Sequence, residues 1–470
     1  MCVIIHRGGQ LPMRFISVLI TAALAAGAAA AAEPLRRIGF GSCASQEKPQ
    51  PVWEAVLAAK PDLFLLLGDN IYSDTDNLEI MKAKYAKFAE VPGYQKLKAA
   101  CPLMAMWDDH DYGSNDAGAD NPAKEGARRL FLEFFGEPAD SPRWKQPGVY
   151  AARVFGPEGK RVQVILLDTR FNRSPLKKAG RAYVPDPDPA NTMLGEQQWK
   201  WLEEQLRQPA EIRLLGTSIQ LVPDEHIFEK WGNFPHERAR LVKLIADTGA
   251  AGVIVLSGDR HLAELSVLTD SPIGYPLFDL TSSGLNMGNK RWRAPEKNAH
   301  RVATMTSGDN FGMILIDWDA EDPQIRLQIR DVDGEVTIQQ KVLLSQLRRN
   351  DRAVARANPA VPLAPGAISP ADAAKRVGDQ VTIQFAVKGT GAARDKSRVF
   401  LNSGDFRDKD NFTVVLDMKK LEDGLKAAGI ADPREFYKGK TVRVTGTVSM
   451  FRDSPQIVVD DMKQIVVEGK

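Results

Sequence analysis

Residues 61–69 read PDLFLLLGD: Pro-Asp, an uninterrupted run of large apolar residues, then Gly-Asp. A run this short, with no polar stripe, predicts a strand buried on both faces rather than an amphipathic helix. The carboxylate at its end has two readings. It caps the next helix, or it belongs to a ligand site, because open α/β sheets bind ligands beyond the carboxyl ends of their strands.

Working outward, the pattern repeats. RRIGFGSC (36–43), CPLMAMWDD (101–109), RVQVILLDTR (161–170), IRLLGTSIQ (212–220) and AGVIVLSGD (251–259) predict further strands. PVWEAVLAAK (51–60), LEIMKAKYAKFAEV (78–91), GEQQWKWLEEQLRQ (195–208) and ERARLVKLIADTG (237–249) predict helices. The stretch 313–344 alternates with period two around Asp333-Gly334, as antiparallel strands do. Residues 36–347 therefore predict an α/β domain with a largely buried sheet.

Prolines 359, 362 and 365 with small residues mark an exposed linker over 348–368. Beyond it, 369–470 shows five strand patterns and one helix, LEDGLKAAG, an order that resembles an OB-fold, a small β-barrel. Phe400, Phe406 and Phe412 offer a stacking platform for a polymer, or simply core.

Residues 1–32 read as an export signal. Arg7 and Arg14 precede the apolar stretch FISVLITAALAAGAAA, and Ala30-Ala31-Ala32 supplies a small-residue cleavage site, with Met13 an alternative start. The expectation is a periplasmic or secreted protein with no stable membrane insertion after cleavage. Its three cysteines cannot build a disulfide framework, and a formal charge of +2 over 470 residues calls for no anionic polymer as partner.

Four predicted strands end in acids: Asp69; Asp108, Asp109 and Asp111 around His110; Asp168 with Arg170; and Asp259 with His261. One acid per turn is explained by a helix cap. WDDHD is not, since one cap needs one acid, and carboxylates gathered at one sheet edge repel unless cations neutralise them. A metal centre accounts for the set. A cysteine hydrolase built on Cys43 with His110 or His261 is the alternative, but it leaves the carboxylates without a role. No G-x-S-x-G, phosphate-loop or H-E-x-x-H pattern occurs.

The motifs FGSCAS, LLLGDNIYSD, MWDDHDYGSNDAG, LLDTR, LGEQQWKWLEEQL and VLSGDRHLAEL come in the order found in PhoD-like alkaline phosphatases, of the calcineurin-like metallophosphoesterase superfamily, over roughly residues 38–290. The resemblance implies two stacked mixed sheets flanked by helices. It implies that Cys43, Asp69, Tyr72 and Asp259 share a ferric iron, Asp69 as the bridging carboxylate, and that Asp109 holds a second metal, calcium. His110 matches the histidine beside the leaving group, Asp111 replaces a glutamate common in the family, and the role of Asn115 stays open. His261 is placed at or beside the metals and Arg170 at the phosphate.

The activity implied is hydrolysis of phosphate mono- or diesters by metal-bound hydroxide. The substrate would be a small molecule, a nucleic acid or a phospholipid. Protein partners are undefined by sequence. The rival expectation is an exported binding protein with a degenerate phosphoesterase domain and a working OB-like domain.

Overall fold

The computed structural model describes residues 33–292, 294–349, 366–404, 411–451 and 454–468. The predicted leader, most of the linker and Phe406 lie outside the described residues. No helix among the described residues is long and apolar enough to cross a membrane. The chain forms two compact units. One runs through Arg238 and adds Ala250–Val267 and Leu277–Leu347; the other comprises Ala239–Gly249, Leu268–Pro276 and Arg348–Lys470.

In the first unit, strands β1 (Arg37–Gly41), β2 (Leu63–Leu67) and β3 (Leu103–Met106) are followed by β4 (Ala151–Phe155) and β5 (Val162–Leu166). The short pair β6 (Lys178–Ala179) and β7 (Ala182–Tyr183) precedes β8 (Ile212–Gly216), β9 (Val253–Ser257), β10 (Ala263–Leu268) and β11 (Leu277–Ser282). Strands β12 (Arg301–Met305), β13 (Asn310–Asp317), β14 (Gln324–Asp331) and β15 (Val336–Leu343) complete the unit. They form a six-stranded sheet, β15-β14-β13-β1-β2-β3, and a seven-stranded sheet, β12-β10-β11-β9-β8-β5-β4. This is the predicted two-sheet α/β architecture.

Chain direction matters more for the site than strand count. In the first sheet β1, β2 and β3 run parallel side by side. In the second, β5, β8, β9 and β11 do the same. Every residue of β2, β5, β8 and β9 is buried, Gln163 of β5 and Arg213 of β8 included, as strands covered on both faces require. Helices α1 (Val52–Ala58), α2 (Leu78–Ala89), α3 (Pro92–Ala100), α4 (Asp109–Tyr112) and α5 (Lys124–Phe134) follow these first strands. A core containing Trp53, Phe64, Phe88, Tyr94, Trp107 and Phe131 lies among them. Helix α2 starts where Asn77 accepts from the N–H groups of Glu79 and Ile80.

Where the two parallel arrays meet, the backbones come very close. Ser42 N donates to Ser282 O at 3.1 Å, and a Cβ on Gly258 would lie 2.4 Å from Ser42 Oγ. Only glycine fits there, so the Gly of the SGD motif lets the end of β9 approach the end of β1. Gly258→Ala is expected to destabilise the protein by about 1–3 kcal/mol, the cost of overpacking. The shift of a denaturation midpoint measures it, and an unchanged midpoint would mean the ends of the strands can part.

The second unit contains all five predicted strands and the predicted helix, here Met418–Ala427. It also has strands at Ala367–Ile368, Gly389–Ala392, Ser449–Phe451 and Ile465–Val467, and a helix at Pro433–Tyr437. The strands hydrogen-bond as a four-stranded and a five-stranded sheet. The unpredicted strands are two to four residues long, too short to show alternation. Phe412 is buried and meets the Phe385 ring edge-on at 5.6 Å, so it belongs to the core of this unit.

Candidate metal centre

The carboxyl ends of β1, β2, β3 and β9 bring together donors drawn from positions 43 to 261. Cys43 follows β1 and is fully buried; its Sγ lies 3.3 Å from Asp69 Oδ2 and 3.1 Å from Ser283 Oγ. Tyr72 Oη lies 3.4 Å from the same Asp69 oxygen and 2.9 Å from His261 Nε2. Three groups of donors each fall within 4.8 Å: Cys43, Asp69 and His261; Asp69, Asp109 and His110; Asp108, Asp109 and Asp259. Asp69 belongs to the first two groups and Asp109 to the last two, so the groups form one continuous chain.

Backbone conformation aims these side chains. Cys43, Asp69, Asp259 and His261 have φ of 64°, 51°, 69° and 52°. The left-handed region costs a non-glycine residue about 1–2 kcal/mol. Four such residues at the ends of three strands mark a place where the surrounding fold over-determines the geometry.

The electrostatics are those of a cation site. Asp69 Oδ1, Asp108 Oδ2 and Asp109 Oδ1 are buried without a hydrogen-bond partner. A buried, unsatisfied carboxylate oxygen is costly, and a metal ion is the partner that suits it. Burial, then the charges of Cys43 and Asp109, push the Asp69 carboxyl far above its ordinary range. Burial would likewise raise Asp109, but Arg170, His110 and the Asp116 N–H hold it down at about 2. Burial raises the Cys43 thiol to about 11. A protonated thiol with no exposed surface is a poor nucleophile, which counts against the cysteine hydrolase. As a metal ligand it would lose its proton to the cation instead.

His110 is the second residue of α4, at the cleft wall. Burial alone would lower its pKa, but the 2.5 Å bond from Nδ1 to Asp74 and the carboxylates of Asp69 and Asp109 raise it to about 11. Its ring lies against Tyr72, with centroids 4.3 Å apart. His261 is pushed the other way, to about 4, by burial and by the nearby His110 and Arg260 charges, and so presents a neutral imidazole.

Four of the expected residues take places that differ from those the resemblance implies. Asp259 groups with Asp108 and Asp109, and His261 takes the place beside Cys43 and Asp69. The tight turn after β9 sends these two side chains to different parts of the centre. Arg170, expected at the phosphate, lies buried: its guanidinium has no exposed surface and is 2.6 Å from Asp108 Oδ1 and 2.6 Å from Glu229 Oε2. There it balances buried carboxylates.

Asp111 faces away from the cleft. Its Oδ1 accepts from Asn70 N at 2.9 Å and its Oδ2 from Asp108 N at 3.0 Å, so it ties the ends of β2 and β3 together. Asp168 is the structural acid of the set, accepting from the N–H groups of Val149, Arg170 and Phe171 at 2.8–2.9 Å. Asn115 is exposed and donates to Asp116 Oδ2 at 2.6 Å.

Two residues of the centre have no place among the predicted ones. Ser283 lies just past β11, a strand-end signal like the others. Glu229 bridges Arg170 and Arg173, at 2.6 and 2.9 Å, from within HIFEKWGN, where no pattern announces it.

Alkaline phosphatase D of Bacillus subtilis (strain 168) is 25% identical over 310 residues, covering 55% of this chain and 52% of the relative. The chain thus spans about half the length of that curated relative. The solved structure of PhoD superposes with a TM-score of 0.53 at 20% identity, over 66% of this chain and 72% of the other, a likeness of fold. The model of the PhoD-like phosphatase family matches residues 38–327, which takes in Cys43, Asp69, Tyr72, the WDDHD turn and Asp259 with His261. By that match, over more than half its length, the chain belongs to the PhoD-like phosphatase family.

Proposed function

We propose that the chain is an exported hydrolase of phosphate mono- or diesters that works with two bound cations. The observation that carries this reading is the sharing of Asp69 and Asp109 among three overlapping donor groups. A single ion would not use them all. The donor chemistry supports ferric iron at Cys43, Tyr72 and Asp69, whose thiolate and phenolate are strong anionic donors, with His261 beside them. Carboxylate oxygens from Asp108, Asp109 and Asp259 suit calcium. The bound cations would supply the charge that offsets a phosphate dianion and makes a water nucleophilic near neutral pH.

The rest falls to the chain. His110, whose Nδ1 is bonded to Asp74 and whose ring lines the cleft, is the group able to protonate or hydrogen-bond the departing oxygen, a contribution of about 10²–10⁴-fold. Arg170 and Glu229 balance charge beneath the donors, and Asp111 holds the Asp69 and Asp109 turns in register. Export rests on the leader pattern of residues 1–32.

The test is to purify the protein without its leader, measure iron and calcium, and assay p-nitrophenyl phosphate beside bis-p-nitrophenyl phosphate. Bound metal with turnover of either ester is the expected result. A metal-free, inactive protein that binds oligonucleotide or polysaccharide would favour the binding-protein reading instead.

Metal removal should also lower stability, because it leaves the clustered carboxylates unneutralised. Restoring a cation at about 100 times its Kd is expected to add about 2.7 kcal/mol. Thermal melting with and without chelator checks this, and identical curves would count against a resident metal.

A further inference from the structure

The centre opens into a cleft of about 410 Å³. His110, Asp116, Glu229, Asp259, Arg260 and His261 line it on the metal side, where Arg260 is paired with Glu296, and Lys178 and Arg181 line it from the β6–β7 hairpin. Both cations are exposed, and neither is ion-paired with a carboxylate among the described residues.

The hairpin is a built feature. Lys178 pairs with Tyr183 and Ala179 with Ala182, leaving Gly180-Arg181 as a two-residue turn with Gly180 at φ 61°. Glycine first in such a turn is the pattern that suits the twist of a hairpin, and it puts Arg181 at the tip. Two bonds hold the hairpin over the cleft. Tyr183 N donates to Ile227 O at 2.8 Å, and Tyr183 Oη donates to Asp116 Oδ2 at 2.5 Å. Asp116 N in turn donates to Asp109 Oδ2 at 2.7 Å. The basic hairpin is therefore linked through one residue to a donor of the metal centre, and Lys178 stacks over the Tyr183 ring at 5.0 Å.

We propose that Lys178 and Arg181 form a second anion subsite, which selects phosphate esters carrying another phosphate group beside the one that is cleaved. This rests on the hydrolase reading above. The scissile phosphate would be neutralised at the metal end of the cleft. That leaves the two unpaired cations for a second group, and the guanidinium of Arg181 is shaped to hold a phosphate through two hydrogen bonds.

Matched substrates test it. Thymidine 5′-(p-nitrophenyl phosphate) and its 3′-phosphorylated form differ by one phosphate; glucose 6-phosphate and glucose 1,6-bisphosphate do the same for monoester cleavage. The doubly phosphorylated member is expected to have a KM lower by about tenfold, the worth of one charge-assisted hydrogen bond. In Lys178→Glu/Arg181→Glu that ratio should fall to about one or below, with the wild-type preference shrinking as salt is raised. Arg181→Lys should keep part of it.

A wild-type ratio near one, or a ratio unmoved by the double charge reversal, overturns the subsite while leaving the hydrolase reading intact. Absence of turnover on all four substrates, with no bound metal, overturns the hydrolase reading itself.

Discussion

Cys43→Ser is expected to lower kcat/KM by more than about 100-fold and to remove one metal from the protein. The reference point is that losing a residue that merely supports a ligand costs about 10–100-fold. Serine preserves the size of the side chain and its hydrogen bonding to Ser283 and Asp69, so the fold should survive. What it lacks is a proton that a cation can displace near neutral pH. Metal content by mass spectrometry and kinetics on both p-nitrophenyl esters read out the two effects. If the serine variant keeps its full metal complement and activity, Cys43 is a core residue and the iron assignment fails. If activity is lost to thiol alkylation but survives metal removal, the cysteine hydrolase returns.

Arg170→Met should have the largest effect on stability. The guanidinium touches Asp108 and Glu229 and has no exposed surface, so its removal leaves buried Asp108 without its arginine and Glu229 with Arg173 alone. Breaking a buried ion pair from one side costs about 3–5 kcal/mol. Adding Glu229→Gln to Arg170→Met should recover part of that loss, because the two residues share one network. Arg170→Lys should not rescue fully, since one ammonium cannot reach both partners as the planar fork does. Denaturant midpoints of the four proteins give the comparison. A loss below about 1 kcal/mol for Arg170→Met would mean that water enters the site and that the pair is no buried network.

LLDTR alone does not decide where the Arg170 side chain goes. Sequence places the arginine two residues past a strand, at the correct edge of the sheet. Whether it points into the cleft or beneath it depends on Glu229, which lies on a loop 59 residues away and satisfies the guanidinium from behind. Asp168 teaches the same lesson in reverse. It ends a buried strand just as Asp69 does, yet three N–H groups claim its carboxylate, while Asp69 keeps an oxygen with no partner. Only that difference separates a capping acid from a candidate ligand.

What the sequence determined by itself is therefore the local part: buried strands written as short apolar runs, acids and a cysteine at their carboxyl ends, and the family to which that order of motifs belongs. These are legible because strand burial and turn chemistry depend on neighbours in the chain. What only the tertiary structure decided is which strand-end groups face one another. It sets His261 beside Cys43, Asp259 beside Asp109, and Arg170 below them, and it hangs the basic hairpin over the cleft. Those contacts are made between positions far apart in the chain, and their geometry comes from how two sheets pack and how four left-handed residues turn the backbone, quantities that no local pattern encodes.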